Sequence, residues 1–284
     1  MLDSLDQWTF SGFLIATMLS LGLRTPPAEF AALLTDRNAL SRTLLANYVA
    51  VPLLALAIVR FLPLSRESEA AIVILSLVPG GLSALMFTSK VKGEEASATA
   101  LAVFLSALSI LVSPLLLLAI LPEQADPAMP WPRVLAVYVL LMLAPLAAGM
   151  LLRRRLTALP AGLLRVLGVV SAVLFLAFIF GTKKFRWQAV LHVGWAAAGA
   201  MMLFILGAMA AGWFLGGPNP ARRQILASAT SMRNAALALA IAQESPMGSV
   251  VLPPMLAFSL LMVTPNKLFS LWHTWRAKRK AQPG

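Results

Sequence analysis

Ala227-Ser-Ala-Thr-Ser-Met-Arg-Asn-Ala-Ala-Leu-Ala-Leu-Ala-Ile-Ala242 is a hydrophobic run with an arginine, Arg233, close to its middle. A charged side chain at the centre of a bilayer costs roughly 2.5–3.5 kcal/mol on insertion scales, so it marks a functional site by default. Ser228, Thr230, Ser231 and Asn234 surround it with groups that donate and accept hydrogen bonds where water is scarce. A helix that only faced lipid would have no use for them. The stretch reads as the lining of a binding site inside a transporter.

Composition sets the medium. Of 284 residues, 60% are hydrophobic and 12% charged, where soluble domains carry about 25% charged. The chain is therefore expected to be an all-α integral membrane protein. Its net charge of +12 is scattered through short loops between apolar runs, which is a topology signal and not a nucleic-acid patch. The absence of cysteine excludes disulfides, thiolate metal sites and thiol catalysis. The acidic start Met1-Leu-Asp-Ser-Leu-Asp lacks the basic region of a cleaved signal, so the first span is expected to stay.

A helix needs about 20 mostly apolar residues to cross the hydrocarbon core. By that rule the sequence predicts nine spans: 8–23, 41–62, 69–89, 96–121, 133–152, 162–182, 189–215, 221–242 and 249–273. Together they make one transmembrane unit over 1–284, with four helices in 8–121, five in 133–273 and a basic tail at 274–284. The tail, with Arg276, Lys278, Arg279 and Lys280, belongs on the cytoplasmic side, which puts the N-terminus outside. Lys183, Lys184 and Arg186 fall against that rule. The expected setting is the inner (plasma) membrane of a bacterium. Trp8, Trp131, Trp187, Trp272 and Trp275 stand at predicted span ends, where interfacial tryptophans belong.

The third span carries Val78-Pro79-Gly80-Gly81-Leu-Ser83 at mid-membrane depth. Proline removes a donor and clashes with the preceding turn, and glycine weakens a helix, so a break is predicted there. Backbone freed at that depth must line a cavity or be buried in protein. The eighth span has no proline, but its centre, Thr230-Ser-Met-Arg-Asn234, is unusually polar. Each of the two is followed by a long helix with a hydroxyl–proline pair, Ser113-Pro114 and Thr264-Pro265. Pro79 to Pro114 and Thr230 to Pro265 are both separations of 35 residues. Paired interrupted helices at matching places in two halves point to a secondary transporter's binding site.

These residues also resemble a known family. Val78-Pro-Gly-Gly-Leu-Ser-Ala-Leu-Met with the following Lys92-Gly93 and Ser113-Pro114 is similar to the first crossing helix of the bile acid:sodium symporter family, and Ser231-Met-Arg-Asn-Ala-Ala-Leu-Ala to the second. Met18-Leu-Ser-Leu-Gly-Leu and Asn47-Tyr-Val-Ala-Val-Pro52 fit its early helices. The resemblance implies a ten-helix inverted-repeat fold, here without the first helix. It also implies a panel of spans one, five and six and a core of the other six. Where sodium-coupled members place serine and asparagine after Pro-Gly-Gly, this chain has Ala84 and Leu85; their next-helix ligands fall on Ala98 and Ala102. The family's glutamate and glutamine of the second crossing helix are Ala229 and Arg233. Of the implied cation positions, Asn47 and Met232 remain as candidates for a coupling Na+.

The substrate-binding candidates are Arg233, Asn234, Ser231, Thr230, Pro79, Gly80, Gly81 and Ser83, and the expected substrate is a small organic anion. On one reading, Arg233 replaces the sodium ion beside the site and attracts that anion; on another, it binds unwound carbonyls and only holds the fold. Sodium coupling through backbone oxygens and Asn47 stays open, as does a channel or a membrane protein without transport. None of the 11 carboxylates lies mid-span, and no nucleophile–base pair is visible, so no enzyme, resident cofactor or metal is expected. Lys267 is expected to snorkel to the interface, and His192 and His273 lack carboxylate partners.

Overall fold

The structure is a computed structural model that describes residues 4–80, 95–120, 136, 139–156, 160, 162–181, 193–244 and 248–280. Gly81, Ser83, Ala84, Leu85, Lys92, Trp131, Lys183, Lys184, Arg186, Trp187 and His192 lie outside the described residues. All named elements are helices: α1 (Ser4–Arg24), α2 (Pro27–Thr35), α3 (Arg37–Phe61), α4 (Arg66–Ser76), α5 (Glu95–Ile120), α6 (Ala144–Arg155) and α7 (Leu163–Gly181). They continue as α8 (Trp195–Leu215), α9 (Pro220–Ser231), α10 (Ala235–Glu244), α11 (Gly248–Leu261) and α12 (Val263–Lys280).

Among the described residues, Arg37–Phe61, Ala96–Ser113, Trp195–Leu215 and Val250–Arg276 are long and apolar enough to cross a membrane. They coincide with the second, fourth, seventh and ninth predicted spans. The protein is an all-α integral membrane protein.

After α1 ends at Arg24, Pro27 starts the short helix α2, where a missing N–H costs nothing and φ is already helical. Within the basic tail, α12 stays helical to Lys280. Nothing between Pro265 and Pro283 breaks a helix, and arginine over tryptophan at i,i+4 supports it.

Proline leaves a second signature inside the spans. A π turn covers Ala46–Ala50 ahead of Pro52, and another covers Val139–Leu143 ahead of Pro145. Each proline removes a donor and pushes away the carbonyl four residues earlier, and a wider turn absorbs the misfit. In α3 this turns Asn47 fully inward, with no exposed surface.

The helices pack as two groups that share one apolar core. In the first, α1 lies against α6 and α7. Gly22 and Gly149 make the α1–α6 approach possible: a Cβ on Gly149 would stand 2.5 Å from the Leu19 carbonyl oxygen and 2.9 Å from the Leu23 nitrogen. Thr17 and Ser171 share a buried 2.6 Å hydrogen bond between α1 and α7, flanked by the ring pairs Phe10–Phe178 and Phe13–Phe175. In the second group, α8 packs on α9 and α3, and α11 packs on α10 and α4.

This close approach is testable by thermal unfolding in detergent. Gly149→Ala forces backbone against backbone and is expected to cost about 1–3 kcal/mol, as overpacking does. Gly168→Ala, whose added Cβ meets nothing within 4 Å, is expected to keep the midpoint or raise it slightly, since alanine favours a helix.

Candidate functional site

Two helices stop where they meet. Ser65 caps α4 by accepting the Ser68 N–H, and the helix runs to Ser76. Its end tightens, with Leu77 and Val78 donating to the carbonyls of Ile74 and Leu75. Pro79 then offers no N–H, and Gly80 adopts φ +88°, a conformation suited to glycine. A side chain at position 80 would also strike Leu105 Cβ and the Ser106 nitrogen, both at 2.9 Å.

The partner breaks without proline or glycine. Helix α9 ends at Ser231, Met232 is extended, and α10 begins at Ala235. Asn234 starts the second half: its Oδ1 accepts from Leu237 N at 3.2 Å and its carbonyl from Ala238 N at 2.9 Å. The two breaks pair as a short antiparallel bridge between Pro79 and Arg233, with Asn234 N donating to the Val78 carbonyl at 3.0 Å.

Arg233 closes the crossing. Its side chain has no exposed surface and is the largest fully buried one among the described residues. Nε donates to the Leu75 carbonyl at 2.9 Å; Nη1 donates to Asn47 Oδ1 and the Thr230 carbonyl, both at 3.0 Å; Nη2 donates to the Ser76 carbonyl. Three of these acceptors are last-turn carbonyls of α4 and α9, which carry the negative end of the helix dipole; the Leu75 carbonyl accepts from Val78 N as well. Every acceptor is neutral, and among the described residues no carboxylate forms an ion pair with Arg233. Asn47 is held in turn by donating Nδ2 to the Thr43 carbonyl at 3.1 Å.

Both breaks are tied to a later helix. Ser113, just before Pro114, donates to the Leu77 carbonyl at 2.5 Å across 36 residues. Ser231 donates to Asn266 Oδ1 at 2.9 Å across 35 residues. In the second tie the working residue is Asn266, after Pro265; Thr264, before it, is exposed. Thr230 Oγ1 is directed to α8, 2.7 Å from the Ala208 carbonyl.

The structure therefore brings Pro79, Gly80, Arg233, Asn234 and Asn47 together at one crossing. The hydroxyls of Thr230 and Ser231 point instead into helix–helix contacts, and Met232 is packed in the apolar core. Ser228 Oγ, Asn234 Nδ2 and the Tyr48 hydroxyl are buried without a partner among the described residues. Tyr48 escaped sequence reasoning because an aromatic in an apolar span gives no signal of its own. Ala98, Ala102 and Ala229 are buried, and Ala98 and Ala229 share an apolar cluster with Ala46, Leu101, Leu105, Ile225 and Leu226. Among the described residues no group of three His, Asp or Glu could hold a metal. Lys267 lies on an exposed face of α12.

A cavity of about 310 Å³ opens beside that cluster, between α2, the start of α3, the start of α5 and the Gly216–Asn219 turn. Glu29, Asp36, Arg42 and Arg222 stand in its wall, and Leu101, Ile225 and Leu226 belong to both the wall and the cluster. Asp36 pairs with Arg222 at 2.7 Å and caps α3 through Ala39 N at 3.0 Å.

The family model of the sodium bile acid symporter family matches residues 12–192. The chain belongs to that family. A protein of Bacillus subtilis (strain 168) named "Uncharacterized sodium-dependent transporter YocS" is 24% identical over 267 residues, covering 92% of this chain and 78% of that protein.

Two measurements check the geometry. A buried acceptor left without its donor costs roughly 1–3 kcal/mol. Arg233→Met strands several, so it is expected to lower the unfolding midpoint well below that of Arg233→Lys, which keeps the charge but not the planar fork. At the cavity, the Ala39 N–H, then the Arg222 guanidinium, hold the Asp36 carboxyl below the usual carboxylate range. A depressed folded pKa gives stability that is complete above the unfolded value, near 3.9, and is lost as pH falls through the folded value. Asp36→Asn is expected to remove that acid-side loss from a pH series of unfolding midpoints.

Proposed function

We propose that this chain is a secondary transporter of a small organic anion, working by alternating access, in which Arg233 supplies the positive charge that a sodium ion would otherwise bring. The observation that carries the reading is the fully buried guanidinium held by neutral oxygens alone. Carbonyls at two helix ends with one amide oxygen are an oxygen cage suited to an alkali cation. The guanidinium fills it, and two cations in such a space would repel by several kcal/mol. The methyl groups of Ala98 and Ala229 in an apolar cluster support the same reading.

The anion would sit on the other side of the crossing, at the start of α10. The helix N-terminus favours negative charge there, and Asn234 Nδ2 is a buried donor without a partner among the described residues. Arg233 lends its charge, and the Pro79–Gly80–Gly81 backbone with Ser83 completes the proposed wall. Thr230 and Ser231 hold α9 in place for it.

The architecture proposed around this site has nine spans in two inverted halves, 8–121 and 133–273, with 274–284 as a cytoplasmic extension and the N-terminus outside a bacterial inner membrane. The group α1, α6 and α7 would be the panel and the remaining helices the core. The ties across 36 and 35 residues support the repeat.

The second reading is sodium coupling, favoured by the name of the Bacillus relative. It would use the oxygens of Leu75, Ser76, Thr230 and Asn47 in a state where the guanidinium has swung away. Uptake of labelled organic acids into proteoliposomes, with sodium or with N-methylglucamine outside, separates the two. The proposal expects equal uptake in both media and its loss in Arg233→Gln. Uptake that rises steeply with a sodium gradient would establish the second reading.

A further inference from the structure

The last two turns of α12 carry chemistry that the crossing does not use. The apolar stretch Val250–Arg276 ends here, and the helix continues four residues beyond it. Arg276 stacks over Trp272 with its Cζ 4.0 Å from the ring centroid, and Arg279 over Trp275 at 4.3 Å. Both tryptophans are exposed, 42% and 52%, and so are both arginines. No acidic residue follows Glu244 in the sequence, whereas Arg276, Lys278, Arg279 and Lys280 are basic.

The platform beneath is aromatic. His273 sits against Trp213, Phe269 and Trp272 at centroid distances of 5.0, 4.6 and 4.7 Å. Arg223, from the start of α9, lies 5.9 Å over the Trp213 ring and donates to the Gly217 carbonyl. An arginine held over an indole by cation–π attraction keeps N–H groups for acceptors. Tryptophan and arginine at the end of a membrane span belong at headgroup depth.

We infer that the Trp272–Arg276 and Trp275–Arg279 pairs form a binding site for the phosphate of an anionic phospholipid. The indoles sit among the upper acyl chains, the guanidinium edges hold the phosphodiester, and the neighbouring basic residues add attraction. The site selects anionic over zwitterionic lipid because α12 itself brings no carboxylate to offset its charge. It also fixes the end of α12, the helix whose Asn266 is tied to Ser231 at the crossing.

The test titrates the full chain in detergent with phosphatidylglycerol and, separately, phosphatidylcholine, following the thermal unfolding midpoint. Inorganic phosphate serves as the free-anion control. The wild type is expected to bind phosphatidylglycerol at least about tenfold more tightly, with added salt weakening that preference. Arg276→Gln with Arg279→Gln is expected to lose about fivefold per guanidinium, with the lipid-free midpoint unchanged because both side chains are exposed. Equal affinity for the two lipids, a preference that survives the double substitution, or the same shift with inorganic phosphate alone would each overturn the proposal. Should the double variant unfold, a salt-insensitive preference in the wild type would do so too.

Discussion

A helix that stops inside a membrane strands its last carbonyls where no water can reach them. This protein does so twice at one place, and one side chain answers both ends. The guanidinium of Arg233 donates to Leu75 and Ser76 at the end of α4 and to Thr230 at the end of α9, then to Asn47 of α3. A planar group with its donors spread around an edge can serve acceptors from three helices at once; an ammonium has three donors on a single atom. The charge suits the negative ends of two helix dipoles. A hydrocarbon side chain would take this donor from all four acceptors and leave only the Leu75 carbonyl with another, Val78 N.

The surrounding helices are arranged to keep those ends in place. Pro79 and Gly80 let the first chain turn without a donor, and Leu105 and Ser106 press close enough that only glycine fits. Ser113 takes the Leu77 carbonyl that the break releases, and Asn266 takes the hydroxyl of Ser231. Thr230 ties α9 to α8, where Gly212 leaves room: a Cβ there would meet Thr230 Oγ1 and the Leu226 carbonyl. Backbone groups freed at membrane depth are thus met by protein, which is the condition for tolerating such breaks.

Much of this was legible in the sequence, for definable reasons. A charge at mid-span is costly enough to stand out, so Arg233 and its polar neighbours could be named, and Pro79-Gly80 announced the first break by local chemistry. The polar centre Thr230-Ser-Met-Arg-Asn234 pointed to the second. The acceptors of Arg233 could not be read, because Leu75, Ser76 and Asn47 lie 158, 157 and 186 residues away and two of them act through the backbone. Sequence spacing found the hydroxyl–proline pairs but chose Thr264, where Asn266 makes the bond; the faces of α12 decide that, and spacing alone does not resolve them. The π turns before Pro52 and Pro145 and the helix α2 also follow from proline, though as adjustments of geometry and not as the simple breaks proline suggests.

A coupling ion does its work by leaving: it binds on one side, departs on the other, and the gradient drives the cycle through its differential binding. A guanidinium fixed in the chain cannot depart. On the proposed reading it gives the site the same sign of charge in every state, so it favours an anion without contributing an ion gradient's energy. On the proposed reading, the anion's own gradient sets the direction of net movement. On that reading the site also remains assembled when unloaded, because the contacts that hold Arg233 are internal to the protein. In a cage filled by a dissociable cation, emptying the site would strand the same carbonyls, and crossing stability would depend on ion concentration. With Arg233 in the cage, the integrity of the crossing is separated from the supply of ions.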